Sequence, residues 1–74
     1  MVEVGKCYHH FKGKDYKVIA IAKDSENLEL VVVYQALYGD GDVWVRSLKD
    51  FTSKVDKAKY PDFLQEYRFE EIKS

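Results

Sequence analysis

The segment LVVVYQALYGDGDVWVR, at positions 30–46, decides the fold class of this chain. Valine, tyrosine and tryptophan favour extended backbone, and GDGD at 39–42 has the glycines and aspartates typical of a tight turn. The segment therefore predicts two strands joined as a β-hairpin. Apolar residues on both faces of the first strand place it inside the sheet, and we assign the valines of the segment to the core.

Four more strands are predicted around this hairpin from extended patterns bounded by turn residues, at 6–11, 16–23, 52–56 and 67–72. The polar turn KGKD joins the first two, and the short, polar pattern at 52–56 is typical of a sheet edge. Five or six short strands predict an all-β fold for a single domain over residues 1–74. The expected architecture is a small antiparallel barrel or a strongly bent sheet of SH3-like size.

Two short helical turns are also predicted. The first covers 47–51, with Ser47 as N-cap, Asp50 in the capping-box position, and Leu48 and Phe51 facing the core. The second follows Pro61, because proline suits the first position of a helix.

Length and composition limit the partners open to the chain. Its 74 residues, 46% of them hydrophobic, predict one domain that folds alone. Twelve basic and thirteen acidic residues nearly cancel, which argues against a nucleic acid partner. No apolar run is long enough to span a membrane, and Cys7, the only cysteine, cannot form an internal disulfide. We therefore expect a cytoplasmic protein without a membrane partner.

Five segments carry a resemblance to a known family: YHHFKG at 8–13, AKDSE at 22–26, VVYQALYG at 32–39, WVR at 44–46 and YRFE at 67–70. They are similar to the small bacterial family labelled domain of unknown function 1653. The family usually has arginine where His9 stands, histidine where Asp24 stands and proline where Ser47 stands. The resemblance implies a compact bacterial domain with no assigned activity, so function must be argued from the side chains.

No complete catalytic or metal-binding motif is present. Cys7 and His9 share a strand face, but about 7 Å separates such positions, beyond the reach of a nucleophile and its base. Adjacent His9 and His10 point to opposite faces, which opposes a shared zinc ion. Asp40 and Asp42 lack the later ligands of a calcium loop. We therefore predict no catalytic residue, metal site or cofactor.

Aromatic residues and one arginine form the better candidate, a ligand-binding set of Tyr8, His10, Tyr34, Tyr38, Trp44 and Arg46. Planar rings beside an arginine can stack on a flat ligand while the guanidinium binds phosphate or carboxylate. In the competing interpretation these side chains fill the core and Arg46 pairs with an acid. We expect that structural role more for Trp44 than for Tyr8, His10 and Arg46.

The leading hypothesis is a non-catalytic binding module for an unknown protein or small-molecule ligand. One alternative is a small enzyme, or an enzyme's accessory domain, that acts on a nucleotide-like metabolite with His10 as acid or base. Another is weak binding of single-stranded nucleic acid, for which the near-neutral charge is a handicap. The sequence leaves strand order, register and oligomeric state open.

Overall fold

The computed structural model of the chain describes residues 2–73. Its elements follow in the order β1 (Cys7–His10), β2 (Asp15–Lys23), β3 (Leu30–Ala36), β4 (Val43–Ser47), α1 (Leu48–Phe51) and β5 (Phe69–Glu71). The predicted all-β class is confirmed. Both predicted hairpins are present, since β1 pairs with β2, and β3 with β4, in antiparallel fashion.

The five strands form one sheet in the order β4-β3-β2-β1-β5. β4 and β5 lie at its two edges, so the sheet is not closed and the barrel alternative is not confirmed. The sheet is strongly bent, as a contact between its two edges shows. The guanidinium carbon of Arg46 on β4 lies 5.6 Å from the ring centre of Phe69 on β5. Four strand spacings in a flat sheet would separate these edges by about 19 Å. A register shift between Val18 and Ala20 of β2 favours this bend.

The core lies inside the bend and consists mainly of aromatic and β-branched side chains: Tyr8, Val18, Val32, Tyr34, Phe51 and Phe69. The rings of Phe51 and Phe69 are stacked, with centroids 4.0 Å apart. Tyr8 and Tyr34 both meet Phe51 edge-on. Because aromatic side chains bury large areas in favourable mutual geometries, they let a short chain build a core.

α1 closes one side of this core. The hydroxyl of Ser47 accepts a hydrogen bond from the N–H of Asp50 at 3.1 Å, which confirms the predicted N-cap. Phe51 is buried and Leu48 packs against the core, as expected. Four residues are too few for a stable isolated helix, so packing through Phe51 maintains it. No helix among residues 2–73 has the length and apolar character needed to cross a membrane.

The predicted edge strand at 52–56 is wrong. The segment leaves α1 at Thr52, the C-cap, and makes a single isolated bridge between Lys54 and Tyr67. The backbone N–H of Val55 donates to the carbonyl of Glu66 at 2.8 Å beside this bridge. One buried apolar residue, Val55, anchors the segment without a full strand.

The predicted helix after Pro61 is also wrong, because the segment forms turns. The ammonium group of Lys57 donates to the carbonyls of Phe63 and Gln65, at 2.6 and 2.7 Å. The side-chain amide of Gln65 in turn donates to the carbonyl of His9 at 3.0 Å. These side-chain hydrogen bonds stabilise the non-helical path of the segment.

The valines of the segment at 30–46 occupy different environments. Val32 is fully buried, whereas Val43 and Val45 are exposed, so the assignment of all these valines to the core is wrong. Val43 and Val45 alternate with Trp44 and therefore lie on the outer face of β4. An apolar pattern alone does not show which face of an edge strand is covered.

Candidate binding face

The register places the predicted aromatic residues on one face of the sheet. Tyr34 lies opposite Trp44 on β4 and opposite Val18 on β2. Tyr16, two residues before Val18, lies opposite Tyr8 on β1. Opposed residues, and residues two apart, share a face of a sheet. We call this inner surface the aromatic face; it comprises Tyr8, His10, Tyr16, Tyr34, Tyr38, Trp44, Arg46 and Phe69.

Arg46 is fixed in place on the aromatic face. Its Nε donates to the hydroxyl of Tyr34 at 3.3 Å, and its Nη1 donates to Oδ2 of Asp50 at 2.6 Å. Burial opposes the charge, but the bonds to Tyr34 and Asp50 outweigh it and raise the pKa of Arg46. The guanidinium therefore stays charged, and it retains N–H groups beyond the two used in these bonds.

Tyr16 and Tyr38 form a second fixed pair on this face. Their hydroxyl oxygens lie 2.6 Å apart and their rings meet edge-on. Burial, followed by the hydrogen bond to Tyr38, raises the pKa of Tyr16 to about 12, so its hydroxyl stays neutral. The ammonium group of Lys14 lies 4.9 Å from the ring centre of Tyr38. The two rings are thus partly exposed, with positive charge beside Tyr38.

His10 is a neutral imidazole. Its ring lies edge-on to Phe69, with centroids 4.8 Å apart, and its Nδ1 accepts a hydrogen bond from the backbone N–H of Lys12. The proton of the neutral ring is therefore on Nε2. Burial, and then the positive charges of Arg46, Lys12 and Arg68, lower the pKa of His10 to about 4. At neutral pH it is not an imidazolium, which opposes a role as general acid.

The carboxylate of Asp50 lies near two guanidinium groups, those of Arg46 and Arg68, beside the aromatic face. One oxygen of Asp50 lies 2.6 Å from Nη1 of Arg46, and the other lies 3.9 Å from Nε of Arg68. The buried Nε of Arg68 has no hydrogen-bond partner within residues 2–73. Two guanidinium groups and one carboxylate give the surroundings of Asp50 a net positive charge. A buried N–H donor without a partner, such as this one, is uncommon in folded proteins.

Two of the six predicted residues belong to the core. Tyr8 and Tyr34 are each 5% exposed. The hydroxyl of Tyr8 accepts a hydrogen bond from the N–H of Glu3 at 2.9 Å, and that of Tyr34 accepts from Arg46. These two side chains support the face from inside and present little surface to a ligand.

The other four predicted residues reach solvent to different degrees. His10 and Arg46 are partly buried, whereas Tyr38 is 40% and Trp44 49% exposed. The expectation that Trp44 is more structural than Tyr8 is wrong. Trp44 lies on an edge strand, where only one neighbouring strand covers it.

Sequence reasoning missed four residues that complete the face or its charge: Tyr16, Asp50, Arg68 and Phe69. Tyr16 could have been found from the first hairpin, whose register opposes it to Tyr8. Asp50 lies four residues after Arg46, a spacing that brings charges together at the start of a helix. Arg68 and Phe69 had no local signal, because β5 pairs with β1 across most of the chain.

Two grooves lie near the aromatic face, and the first, of about 560 Å³, lies to one side of it. Tyr8, Phe51 and Phe69 line it together with Glu70 and Glu71. A second groove, of about 390 Å³, lies beside α1. Tyr38, Trp44 and Arg46 line neither of these two grooves.

The cysteine and the histidines near the chain start have separate surroundings. Cys7 is a free, partly buried thiol. Nδ1 of His9 lies 2.6 Å from a carboxylate oxygen of Asp15 across the first hairpin. Within the described part of the chain, no three His, Cys, Asp or Glu side chains are grouped to hold a metal ion.

A sequence model of one protein family, described as "Protein of unknown function (DUF1653)", matches residues 6–71. The chain belongs to the DUF1653 family. The match confirms the resemblance seen in the sequence and covers β1 to β5 of this DUF1653 member. Among curated proteins and solved structures, no similar protein is found. The function of this DUF1653 domain must therefore be argued from its own side chains.

Proposed function

We propose that this domain is a non-catalytic cytoplasmic binding module whose aromatic face holds a planar ligand with an anionic group. The anion binds beside Arg46 and Arg68, and the flat part of the ligand stacks on Trp44. A small molecule that joins an aromatic ring system to a phosphate or carboxylate has this chemistry.

The uneven charge balance at Asp50 carries the proposal. Arg46 and Arg68 share this one carboxylate, and the buried Nε of Arg68 lacks an acceptor in the described residues. An anionic group beside the partly exposed guanidinium groups would balance the second positive charge. The positive charge that lowers the pKa of His10 would attract the same anion.

The rigidity of Arg46 adds to the expected affinity. Its hydrogen bonds to Tyr34 and Asp50, and its position over Phe69, hold the guanidinium before any ligand arrives. A side chain that is already ordered loses little conformational entropy on binding. Trp44 is the most exposed ring of the face and is available for stacking.

Trp44 makes the test direct because it is the only tryptophan of the chain. Its fluorescence is measured during titrations with AMP, with adenosine and with inorganic phosphate. We expect AMP to quench the emission at lower concentration than adenosine does, since only AMP adds an anion to the stacking base. Inorganic phosphate should compete with AMP without quenching.

Arg46→Gln tests the anion contact, and Lys49→Gln is the matched control. Both remove one positive charge, but Lys49 is exposed and lines the groove beside α1. We expect Arg46→Gln to weaken AMP binding about tenfold, the effect of losing one charge-assisted contact, and Lys49→Gln to leave it unchanged. Circular dichroism checks folding, since a partly exposed ion pair contributes only about 0–1 kcal/mol.

Three results would contradict the proposal. The first is unchanged Trp44 emission at about 10 mM AMP, well above the range of specific binding. The second is equal AMP affinity of the wild type and Arg46→Gln. The third is equal binding of AMP and adenosine, which removes the anion contact. Salt-sensitive binding of a single-stranded oligonucleotide without AMP binding would instead support a nucleic acid partner.

A further inference from the structure

β4 is an edge strand with little of the usual protection: it has no lysine, proline or bulge, and its one charged residue, Arg46, is paired with Asp50. It pairs with β3 alone, and its Val43, Trp44 and Val45 are 57%, 49% and 63% exposed. Natural edge strands are protected by lysine, proline, a bulge or short length. β4 has the sequence VWVRS and pairs with β3 without a register shift. The opposite edge, β5, has only three residues, two of them glutamates.

The backbone groups of Val43 and Val45 point away from β3. The N–H of Ala36 donates to the carbonyl of Asp42 at 2.8 Å, and this pair continues the β3–β4 register. Hydrogen-bonded and non-hydrogen-bonded pairs alternate along an antiparallel ladder. Asp42 and Trp44 therefore direct their backbone groups to β3, and the intervening valines direct theirs to the open edge.

Residues 42–46 can pair in antiparallel fashion with the same residues of a second copy, because their charged and apolar side chains then match. When two β4 strands run antiparallel with Trp44 at the centre, Asp42 of each copy lies opposite Arg46 of the other. Val43 of each copy lies opposite Val45 of the other, so the outward backbone groups meet as two hydrogen-bonded pairs. If the pairing shifted by one residue, the free backbone groups of Val43 and Val45 would face residues whose backbone groups already bond to β3.

We propose that this edge binds a second copy of the chain, so that two β4 strands pair about Trp44 and join two sheets. Arg46 retains N–H groups beyond those that bind Tyr34 and Asp50, and these can donate to the carboxylate of Asp42 of the second copy. The two Trp44 rings come together on the inner face. The proposal needs no ligand, and because the paired edge uses Trp44 and the remaining N–H groups of Arg46, dimer formation would compete with the proposed ligand for these side chains.

The outer face of the new sheet also contributes. Val45 lies opposite Val33 on β3, so apolar side chains continue inward from the edge. Pairing places Val43 and Val45 of one copy beside those of the other and removes part of their exposed surface from water. The opposite charges of Asp42 and Arg46 favour the register centred on Trp44, because any other register separates Asp42 of one copy from Arg46 of the other.

Sedimentation equilibrium is the first test, with no ligand present. We expect the average mass of the wild type to approach twice the 8.7 kDa of one chain as its concentration rises towards about 1 mM. Val45→Lys should raise the dissociation constant about tenfold or more, because it places a charge in the paired edge. Ile19→Lys is the matched control, an exposed position on the interior strand β2 that should leave the mass unchanged.

Disulfide trapping tests the register. In a Cys7→Ser background, Trp44→Cys places two cysteines opposite each other in a non-hydrogen-bonded pair, where Cα atoms are about 4.5 Å apart and within disulfide range. We expect oxidation to give a covalent dimer. Val45→Cys in the same background should not cross-link, because position 45 of each copy faces Val43 of the other. The two Cα atoms at position 45 are then more than about 7 Å apart, beyond disulfide range.

Each outcome decides the proposal. A concentration-dependent dimer that Val45→Lys weakens, with cross-linking at 44 and not at 45, supports it. A chain that stays monomeric at about 1 mM overturns it, as does a mass that grows beyond two copies. A dimer that tolerates Val45→Lys while the variant keeps its wild-type circular dichroism assigns the contact to another surface. Cross-linking at 45 in place of 44 overturns the register.

Discussion

His10 should make this domain less stable in mild acid, and His10→Asn should remove that effect. The amide oxygen of asparagine can accept the hydrogen bond that Nδ1 of His10 accepts from the N–H of Lys12. Asparagine does not titrate in this range, so it reports the same fold without the charge change. The variant also loses the ring contact with Phe69, which lowers its free energy of unfolding by the same amount at every pH. This amount cancels when the change between two pH values is compared in the two proteins.

The magnitude follows from the two pKa values. The pKa of His10 is about 4 in the folded protein against 6.5 as its ordinary value, so the unfolded chain binds more protons between these values. Stability therefore falls as the pH drops from about 6.5 towards about 4, and it does not depend on this group above that interval. The linkage gives about 2 kcal/mol between pH 7.5 and pH 5. Solvent screening at a partly exposed ring reduces this to about 1 kcal/mol.

Urea unfolding at about pH 7.5 and pH 5 measures the effect in both proteins. The wild type should lose about 1 kcal/mol more than His10→Asn over this interval, since all other titrating groups are shared. Proton NMR gives the pKa directly, because the chain has only two histidines. The reasoning is refuted if His10 titrates near 6.5, or if both proteins lose the same free energy.

The same titration reports on the charges around the ring. Arg46 is the largest charged contributor to the lowered pKa of His10. Arg46→Gln should therefore raise the pKa of His10, and an anion bound beside Arg46 should also raise it. AMP that quenches Trp44 but leaves the His10 titration unchanged would place the ligand away from the guanidinium groups.

Three further predictions concern stability. Phe69→Ala should cost about 3–5 kcal/mol, because it removes the ring stacked on Phe51, and urea unfolding should show a largely unfolded chain. Ser47→Ala should cost about 1 kcal/mol through loss of the N-cap, and an unchanged urea midpoint would mean that α1 is held by packing alone. Trp44→Leu should change stability by about 0.5 kcal/mol or less at micromolar concentration, since the ring is half exposed, and a large fall in Tm would make it a core residue.

Local pattern was enough for several features of the fold. The turns KGKD and GDGD lie between paired strands, as their glycines indicated. The Ser47 cap followed from two residues three apart, and the shared face of Trp44 and Arg46 followed from the two-residue period of a strand. Each feature depends on neighbours a few residues away, which a sequence displays directly.

Distant contacts explain the predictions that failed. The segment after Pro61 follows a non-helical path that hydrogen bonds from Lys57 and Gln65 to distant backbone carbonyls stabilise. The segment at 52–56 lacks a strand because its pairing stops at a single bridge, between Lys54 and Tyr67. Trp44 is exposed and Tyr8 buried because Trp44 lies on an edge strand and Tyr8 on a strand with neighbours on both sides. No local period encodes these differences.

The sequence by itself determined the all-β class, the two hairpins and the family. Only the tertiary structure decided that the aromatic residues share a face with a fixed, charged Arg46. The bend brings β4 to β5, which sets Arg46 over Phe69 and gives Asp50 a second partner in Arg68. The physical reason is that strand pairs far apart in the chain are selected by the burial and hydrogen bonding of the whole sheet, whereas turns and caps are selected by adjacent residues.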